Sequence, residues 1–497
     1  MAIDQITSGI LKDAAVTTAK VADDAVTAAK IPAGAVVADV GTGGIATANL
    51  ADDAVTQAKM GAGAIGTTEL AADAVDGTKI ADDAVNSEHY AAGSIDTAHI
   101  ADDQVTGAKI ENNPTIAGNL TVVGSIVPSE PLSHRNLIIN GDMQIWQRAR
   151  AATAAANGYN TVDRWSFWAG GGGSYTCEKH SMTLAELNTT GHTRALKLAC
   201  TGTDTINAAA DFYYFTQKIE AAYCQHLQWG TANAKTLTLS FWVKSSKTGT
   251  YCATIQKEDT TGYVLAQDYT ISSANTWEKK TLIISPTAGS TSLITAAGGV
   301  INNDTGAGIS INFALAMGTQ YHQTANTWVA ATDYSTANQT NWMDSTSNTF
   351  YITGVQLELG SVATPFEYLR YTDQLFRCRR YYNNVLISGH PDIFNPADAY
   401  IAYYDLGVFH NATEFRFKSE FPTEMRAVPS IEVTNASNHF VLYCQGTARY
   451  HDTVIVQNAA TNWAICNVVI SGVSLAGLGG PWRANTTQAK LRWNAEL

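Results

Sequence analysis

A ten-residue repeat fills the first fifth of the chain and restricts its fold more than any other feature. From residue 51 the sequence runs ADDAVTQAKM, GAGAIGTTEL, AADAVDGTKI, ADDAVNSEHY, AAGSIDTAHI and ADDQVTGAKI. Each decapeptide has Val or Ile at its fifth position and ends in a large apolar residue, and a similar unit, VADDAVTAAK, occurs upstream. An apolar residue therefore recurs about every five positions over roughly 100 residues.

A spacing of five matches neither regular secondary structure. On an α-helix five residues turn the chain through about 500°, so the apolar side chains would wind around the helix. On a strand an odd step places them on alternating faces. A composite unit returns them to one axis. It consists of an extended Ala-Asp-Asp-Ala-Val piece and a single turn over Thr-x-Ala-Lys, which Thr or Asp caps.

The repeat has too little apolar surface to fold as one chain. Two modest apolar groups per ten residues do not offset about 1–2 kcal/mol of backbone entropy per residue. We therefore expect an elongated homotrimer in which copies of a shaft, residues 10–112, intertwine. The residues predicted to face the trimer axis are Val55, Met60, Ile65, Leu70, Val75, Ile80, Val85, Ile95, Ile100, Val105 and Ile110.

Two alternatives stay open for the same segment. It could be a disordered acidic tail, although disorder gives no reason for Val and Ile to keep a strict register. It could also be a calcium array built on the Asp pairs at 23–24, 52–53, 82–83 and 102–103, although no stretch has the D-x-D-x-D-G ligand spacing. The simpler interpretation of the pairs is a solvated face of the shaft.

Acidic charge is concentrated in the repeat segment. The first 110 residues contain 14 Asp, 2 Glu, 6 Lys and no Arg, which places −10 of the net charge of −13 there. Phosphate binding requires clustered Lys and Arg, so nucleic acid is excluded as the main partner. No apolar stretch reaches the length of a transmembrane helix, and the first residues lack a signal-peptide pattern. We therefore expect a chain that folds in the cytosol in which it is made.

The seven cysteines are widely spaced and include no C-x-x-C pair. In a cytosolic chain this pattern favours reduced, buried thiols over disulfides or metal ligands. The histidines are scattered as well. We expect neither a metal site nor a cofactor.

The composition changes after residue 112, where three Pro and several Gly predict a neck over residues 113–135. Beyond it, short strands such as LTLSFWVKSS and FYITGVQLELG alternate with Gly, Asn, Thr and Ser loops. This pattern is typical of an all-β chain of sandwich domains. We predict a β-sandwich over 136–370 and a second one, a tip domain, over 371–497.

Several motifs in the predicted sandwich carry a family resemblance. NLIINGDMQIWQRA (136–149) followed by TVDRWSFW (161–168) resembles the opening of a module common in bacteriophage tail-fibre proteins. Further matches are QKIE at 217, LSFWVKSS at 239–246, NTWEKKTLIISP at 275–286 and ITGVQLELGSVATPFEYLRYTDQLFRCRRYY at 352–382. In that family the module is a carbohydrate-binding-like jelly roll, and the resemblance covers nearly half of this chain.

The two ends of the chain are similar to fibre proteins as well. The ADDAVTxAKI units resemble shaft repeats of phage and prophage fibres, and MRAVPSIEV (425–433) with the closing RWNAEL resembles a distal domain that often ends them. The resemblance implies a homotrimeric virion protein that recognises the host surface. Many short-tailed-phage fibres begin with a large docking domain, whereas here the repeats begin within about ten residues of Met1. We therefore expect residues 1–20 to attach to tail, baseplate or capsid proteins.

Candidate catalytic carboxylates are Asp163, Glu220, Glu358 and Glu367. A glycosidase needs two carboxylates roughly 5–9.5 Å apart in one cleft, and linear spacing does not place any two of these together. No G-x-S-x-G, H-E-x-x-H, phosphate loop or dinucleotide fingerprint is present. We expect no catalytic residues, and we expect Glu358 and Glu367 to anchor strands or the end of the module.

Sugar binding is the better expectation, because aromatic faces stack on pyranose rings while amides and carboxylates bond their hydroxyls. Trp165, Trp242 and Trp277 lie within strand patterns and are assigned to the core. The aromatic and histidine candidates in loop-like sequence are Trp328, Trp342, Tyr450, His451, Trp463 and Trp482.

The resulting functional hypothesis is a phage tail fibre located in the virion. It would bind host cell-surface polysaccharide or an outer-membrane receptor, and several weak sites on one stalk would give durable attachment. The alternatives are a capsid-attached fibre or structural spacer and, less favoured, a polysaccharide depolymerase.

Overall fold

A computed structural model describes residues 17, 25, 27–30, 50–61, 65, 70, 75, 80, 133–149, 153–154, 157–206, 208–385, 403–433, 440–444, 447–451, 454–470, 477, 479–484 and 491–497. The chain divides into two compact units, Met1–Val122 and Val123–Leu497. Most of the predicted neck, the first 16 residues and five predicted axis residues lie outside the described residues. Those five are Val85, Ile95, Ile100, Val105 and Ile110.

One repeat of the first unit shows how the decapeptide folds. The Ala54 N–H donates to the Ala51 carbonyl at 3.0 Å, and Asp53 between them adopts a left-handed φ of 61°. A 3-10 turn follows over Gln57–Lys59, and the Lys59 Nζ donates back to the Ala54 carbonyl at 2.7 Å. The predicted turn over Thr-x-Ala-Lys is confirmed. The predicted extended Ala-Asp-Asp-Ala piece is wrong, because Asp tolerates the left-handed region and closes a turn there.

The same geometry occurs about three repeats upstream. A 3-10 turn spans Ala28–Lys30, and the Lys30 Nζ donates to the Ala25 carbonyl at 2.7 Å. The turn therefore belongs to the repeat and not to one local sequence.

The apolar side chains of the repeat are exposed in the single chain. Their exposed fractions lie between 41% for Ile80 and 54% for Val55. The described members of this series are Leu50, Val55, Met60, Ile65, Leu70, Val75 and Ile80.

The second unit begins with a β-sandwich, as the strand pattern predicts. Its strands are β1 (Thr153–Ala154), β2 (Ser166–Gly170), β3 (Ser174–Ser181), β4 (Arg194–Gly202), β5 (Phe212–Glu220), β6 (Leu237–Ser245), β7 (Gly249–Lys257), β8 (Tyr263–Ile271), β9 (Glu278–Ile284), β10 (Ala307–Met317), β11 (Trp328–Val329) and β12 (Thr349–Leu359). The first sheet has the order β1-β3-β4-β12-β6-β9 and the second the order β11-β8-β7-β10-β5-β2. All paired strands in both sheets are antiparallel.

Alternation along the strands builds the sandwich core. In β5, Tyr213, Phe215 and Ile219 belong to the main apolar cluster, whereas Phe212 and Tyr214 pack on the opposite face of the sheet. This is the period of two that a strand requires. The second sheet therefore has an inner face that closes the core and an outer face with aromatic side chains of its own.

Short helices connect the strands. The helix α1 (Leu184–Thr190) begins with a capping box between Thr183 and Glu186 and ends at Gly191, whose φ is 79°. The helix α2 (Tyr371–Arg379) follows the sandwich. Short 3-10 segments span Ala221–Leu227, Ala288–Ser290, Ala297–Gly299, Thr319–Tyr321 and Trp342–Asp344. Among the helices of the described residues, none combines the length and hydrophobicity that a membrane crossing requires.

The C-terminal domain also consists of antiparallel strands. They are β13 (Tyr382–Asn384), β14 (Tyr403–Phe409), β15 (Glu414–Glu420), β16 (Ser430–Val433), β17 (Phe440–Cys444), β18 (Thr447–His451), β19 (Ile455–Ala459), β20 (Trp463–Val469), β21 (Gly479–Ala484) and β22 (Leu491–Asn494). They form one sheet of order β13-β22-β16 and another of order β18-β17-β21-β14-β15-β20-β19. Side chains of both sheets share one apolar cluster, so the all-β prediction is confirmed here as well.

The end of the chain is clamped against the sandwich. Arg164, which is 1% exposed, pairs with the Glu496 carboxylate, and Arg148 pairs with the other oxygen at 3.1 Å. The two guanidinium groups also lie over the rings of Tyr381 and Tyr382 at 3.5 and 3.4 Å. One buried ion cluster therefore joins three of the motifs that carry the sequence resemblance, namely 136–149, 161–168 and the closing RWNAEL.

Six of the seven cysteines are buried as free thiols, which confirms the prediction for them. They are Cys177, Cys200, Cys224, Cys252, Cys378 and Cys466. Within the part of the chain that the structure describes, no group of three or more His, Cys, Asp or Glu residues could hold a metal ion.

Candidate functional site

The two sugar-binding candidates of the sandwich lie in its core. Trp328 is 1% exposed, and its indole N–H donates to the Ser285 carbonyl at 2.8 Å. Trp342 is fully buried and packs edge-on against Tyr175. The prediction that these rings face solvent is wrong. Their Thr- and Asn-rich surroundings resemble a loop, but β11 and the turn at 342 direct both rings inward.

Two of the C-terminal candidates are buried as well. The ring of Trp482 stacks between Phe417 and Phe440, and its indole N–H donates to the Nε2 of His451 at 2.6 Å. The prediction of exposed binding groups is therefore wrong for Trp482 and for His451, which is 7% exposed. Trp463 is half-buried on β20 and stays a candidate.

The side chain of Tyr450 lies outside the described residues, so this candidate stays a prediction. Of the three tryptophans predicted to lie in the core, Trp165 and Trp277 are buried, which confirms the prediction for them. Trp242 is half-buried.

A different set of residues forms a candidate site on the outer face of the second sheet. Thr216 on β5 pairs with Ser166 on β2 and with Asn312 on β10. Asn312 in turn pairs with Thr254 on β7, and its Nδ2 donates to the Thr254 hydroxyl at 3.0 Å. Side chains of directly paired residues share one face of a sheet. A row of four small polar side chains, each at most 3% exposed, therefore crosses four strands under the outer face.

Aromatic side chains lie next to this polar row. Trp168 pairs with Tyr214 across β2 and β5. The ring of Tyr334, from the connection between β11 and β12, stacks on Tyr214 with 5.4 Å between centroids. Tyr321 contacts Tyr334 at 6.4 Å and Phe212 at 5.7 Å. We call these five half-buried rings the aromatic platform.

Hydrogen bonds hold the platform's loop on the sheet. The Asp268 carboxylate accepts from the Thr336 hydroxyl at 2.6 Å and from the Asn338 amide at 2.8 Å. The Gln339 Oε1 accepts from the Cys252 backbone N–H at 2.9 Å. The loop is therefore fixed at three points close to Tyr334, and the rings are positioned before any ligand binds.

The polar groups beside the platform are mostly neutral. The hydroxyls of Thr216 and Ser310 are buried and have no hydrogen-bond partner within the described part of the chain. Burial, together with the nearby Glu258 carboxylate, raises the pKa of Tyr334 to about 12. Burial, with Tyr334 as the next cause, also raises the pKa of Tyr214. Both phenols are therefore protonated donors at neutral pH.

Two of the candidate carboxylates anchor the end of the sandwich. The Glu358 carboxylate accepts from the backbone N–H and the hydroxyl of Thr364 and lies 3.5 Å from the Arg135 guanidinium. Glu367 accepts the backbone N–H groups of His134 and Asn136 at 2.5 and 2.9 Å. The expectation of an anchoring role is confirmed for both.

The other two carboxylates take part in the contact between the domains. Asp163 accepts from Gln147 and lies 3.6 Å from the Arg148 guanidinium, while burial raises its pKa to about 6. Glu220 binds Arg380 through two hydrogen bonds of 2.9 and 2.5 Å. All four carboxylates therefore have structural partners.

Sequence reasoning missed the aromatic platform because it ranked rings by loop-like surroundings. The signal was present in the strand FYYFTQKIE, where Phe212 and Tyr214 alternate with the core residues Tyr213 and Phe215. Four aromatic residues in succession on a strand cannot all face one core.

No protein-family model matches the sequence, and no match was found among curated proteins. Similar solved structures include the enzymatically active domain of tailspike protein 4 from bacteriophage CBA120, at 15% identity and a TM-score of 0.24. That match covers 45% of this chain but only 21% of the tailspike chain.

Two other similar structures are covered almost completely. A putative sugar binding protein from Bacteroides thetaiotaomicron matches at 13% identity and a TM-score of 0.25, over 46% of this chain and 100% of that one. The family 11 carbohydrate-binding module of a cellulosomal cellulase from Clostridium thermocellum matches at 13% identity and a TM-score of 0.21, over 44% and 98%. At these scores the assignment of a site depends on the geometry of this chain itself.

Proposed function

We propose that the protein is a glycan-binding fibre subunit of a bacteriophage virion, which attaches the particle to polysaccharide or another receptor on the host surface. The observation that carries this proposal is the aromatic platform on the outer face of the second sheet. Ring faces of the half-buried Tyr214 and Tyr334 offer stacking surfaces for pyranose rings, and their phenol groups offer partners for sugar hydroxyls.

The shaft supports the fibre part of the proposal. Its apolar residues keep a five-residue register and are about half exposed in the single chain, which suits burial against copies of the same chain. We propose a homotrimer with the repeat on its axis, attached through the N-terminal segment to tail, baseplate or capsid proteins. Three platforms on one stalk then convert weak single-site binding into durable attachment.

The proposed role is binding without catalysis. Each of the four candidate carboxylates is engaged by backbone N–H groups, hydroxyls, amides or guanidinium groups. A glycosidase needs one carboxyl group free to donate a proton and another free to attack or to activate water. The engaged carboxylates favour an adhesin over a depolymerase.

The test compares platform variants of the full-length protein. We expect Tyr214→Ala and Tyr334→Ala to weaken binding to host cells and to purified host polysaccharide about tenfold or more, because each removes one stacking ring. The matched control is Phe376→Ala, which removes a ring that is 51% exposed on α2 and lies outside the platform. Near-ultraviolet circular dichroism checks that each variant keeps the native packing.

Other outcomes overturn parts of the proposal. Undiminished binding by both Tyr variants together with loss in Trp463→Ala would move the site to the C-terminal domain. Failure of the wild-type protein to bind any host surface would leave a structural spacer or capsid fibre. New reducing ends after incubation with host polysaccharide would show a depolymerase.

A further inference from the structure

A cavity of about 450 Å³ lies outside the aromatic platform, where α2 and the start of the C-terminal domain meet the sandwich. Its volume is within the range of small-molecule sites, about 300–1,000 Å³. The walls come from three separate segments of the chain. The lining residues are His134, Asn136, Leu137, Ile139, Ala222, Tyr223, His226, Arg377, Arg380 and Tyr381.

The cavity contains a cation that the fold does not use. The Arg377 guanidinium is half-buried and forms no hydrogen bond or ion pair with any residue that the structure describes. The other Arg of the lining, Arg380, binds Glu220 at 2.9 and 2.5 Å. A partly desolvated guanidinium without a carboxylate is costly unless a ligand anion pairs with it.

Two carboxylates that bind residues of the lining, Glu220 and Glu367, already have hydrogen-bond partners. Glu220 accepts two hydrogen bonds from Arg380 and a third from the Tyr381 hydroxyl at 2.9 Å. Glu367 accepts the backbone N–H groups of His134 and Asn136. Neither carboxylate is available to neutralise Arg377. Asp373, one turn earlier on α2, is exposed and forms no ion pair with Arg377 in the described part of the chain.

An aromatic ring completes the site. Tyr223 is 47% exposed and lines the cavity, and the Arg380 guanidinium lies 5.9 Å from its ring centroid. Leu137 and Ile139 supply apolar wall beside it. A flat ring for stacking and an unpaired guanidinium for a bidentate contact suit a ligand that has both a sugar ring and a carboxylate.

We propose that this cavity binds a carboxylated sugar, with the pyranose ring against Tyr223 and the carboxylate on Arg377. The site shares no residue with the aromatic platform, so it is independent of the proposed function. A fibre with both sites would bind neutral sugars of a polysaccharide at the platform and a carboxylated sugar in the cavity.

The test is isothermal titration calorimetry of the full-length protein with three probes: methyl glucuronide, its neutral counterpart methyl glucoside, and inorganic phosphate. We expect methyl glucuronide to bind at least tenfold more tightly than either of the others. Arg377→Gln is expected to remove that preference, and Tyr223→Ala to weaken the uronide while Tyr223→Phe keeps it. The matched control is Arg370→Gln, since Arg370 is exposed and does not line the cavity.

Three results would overturn the proposal. They are equal affinities for glucuronide and glucoside, phosphate binding as tight as the uronide, or uronide binding that Arg377→Gln leaves intact. Tyr334→Ala separates this site from the platform, because it is expected to retain full uronide affinity even if the proposed platform is wrong. The near-ultraviolet spectrum of Arg377→Gln shows whether the variant is folded.

Discussion

The repeat segment and the sandwich use the same apolar residue types with opposite results. In the repeat, Val55 and Ile65 leave 54% and 52% of their surface exposed, whereas Ile311 and Leu357 in the sandwich are completely buried. The difference is whether the segment itself supplies a second layer that covers its apolar side chains. Two sheets cover each other's inner faces, but a one-turn repeat has no second layer. The sandwich therefore has a core of its own, whereas the proposed shaft would need other copies to cover its apolar side chains.

The distribution of tryptophan makes this comparison measurable. All 11 Trp lie at or beyond Trp146, so indole fluorescence reports on the second unit alone. Sedimentation and far-ultraviolet circular dichroism report on the whole chain. The two regions can be followed separately in one protein.

The largest effect is expected from polar substitutions on the shaft axis. Burying the exposed half of one such side chain contributes about 1 kcal/mol, and the contribution accumulates over the repeats of every chain. We expect the wild type to sediment as a trimer and the triple variant Val55→Asn, Ile65→Asn, Val75→Asn to sediment as a single chain. Its tryptophan fluorescence should match that of the wild type.

The control for this variant changes the solvated face. Asp52→Asn with Asp53→Asn alters the same repeat at exposed positions, and Asn tolerates the left-handed φ of residue 53. This control should remain a trimer. A triple variant that still assembles would mean that the apolar register does not hold the copies together.

Sequence reasoning succeeded where a period alone decides the structure. The turn over Thr-x-Ala-Lys and the alternating strands of the sandwich both follow from spacing. It failed at the Asp pair in 51–54, because an Asp in the left-handed region depends on local backbone hydrogen bonds that spacing does not reveal.

The binding candidates show a second limit. The polar surroundings of Trp328 and Trp342 predict exposed rings, but their burial depends on contacts distant in sequence, such as the hydrogen bond from Trp328 to the Ser285 carbonyl. The platform ring of Tyr334 likewise meets Tyr214 across 120 positions of sequence, which no local pattern encodes.

The next largest effect is expected at the buried ion cluster. Glu496→Gln leaves the buried Arg164 guanidinium without a carboxylate and leaves Arg148 with Asp163 alone, and removing one partner of a buried pair costs about 3–5 kcal/mol. Urea unfolding followed by tryptophan fluorescence should show a much lower midpoint. It should also show two transitions instead of one, because the cluster joins the C-terminal domain to the sandwich.

A solvent-facing ion pair provides the matched comparison. Glu178→Gln breaks the pair with Lys197, whose side chains are 30% and 27% exposed, and such pairs are worth at most about 1 kcal/mol. If both variants shift the midpoint equally, the buried cluster adds no more than a surface pair. The ion cluster at Glu496 would then not be what stabilises the contact between the sandwich and the C-terminal domain.

The smallest effect is a dependence on pH that belongs to the sandwich unit. Burial raises the pKa of Asp142 to about 6 from an ordinary value of 3.8. Between these values the folded state binds more protons than the unfolded state, so stability falls as the pH rises from about 4 to 6 and is constant above that.

Asp142→Asn keeps an acceptor for the Gln144 backbone N–H but has no charge to bury. Its free energy of unfolding should exceed that of the wild type by about 1–3 kcal/mol more at pH 7 than at pH 4. A difference that does not change with pH would show that the carboxyl group is ionised in solvent, and that this part of the unit is no better sealed than the exposed Asp pairs of the shaft.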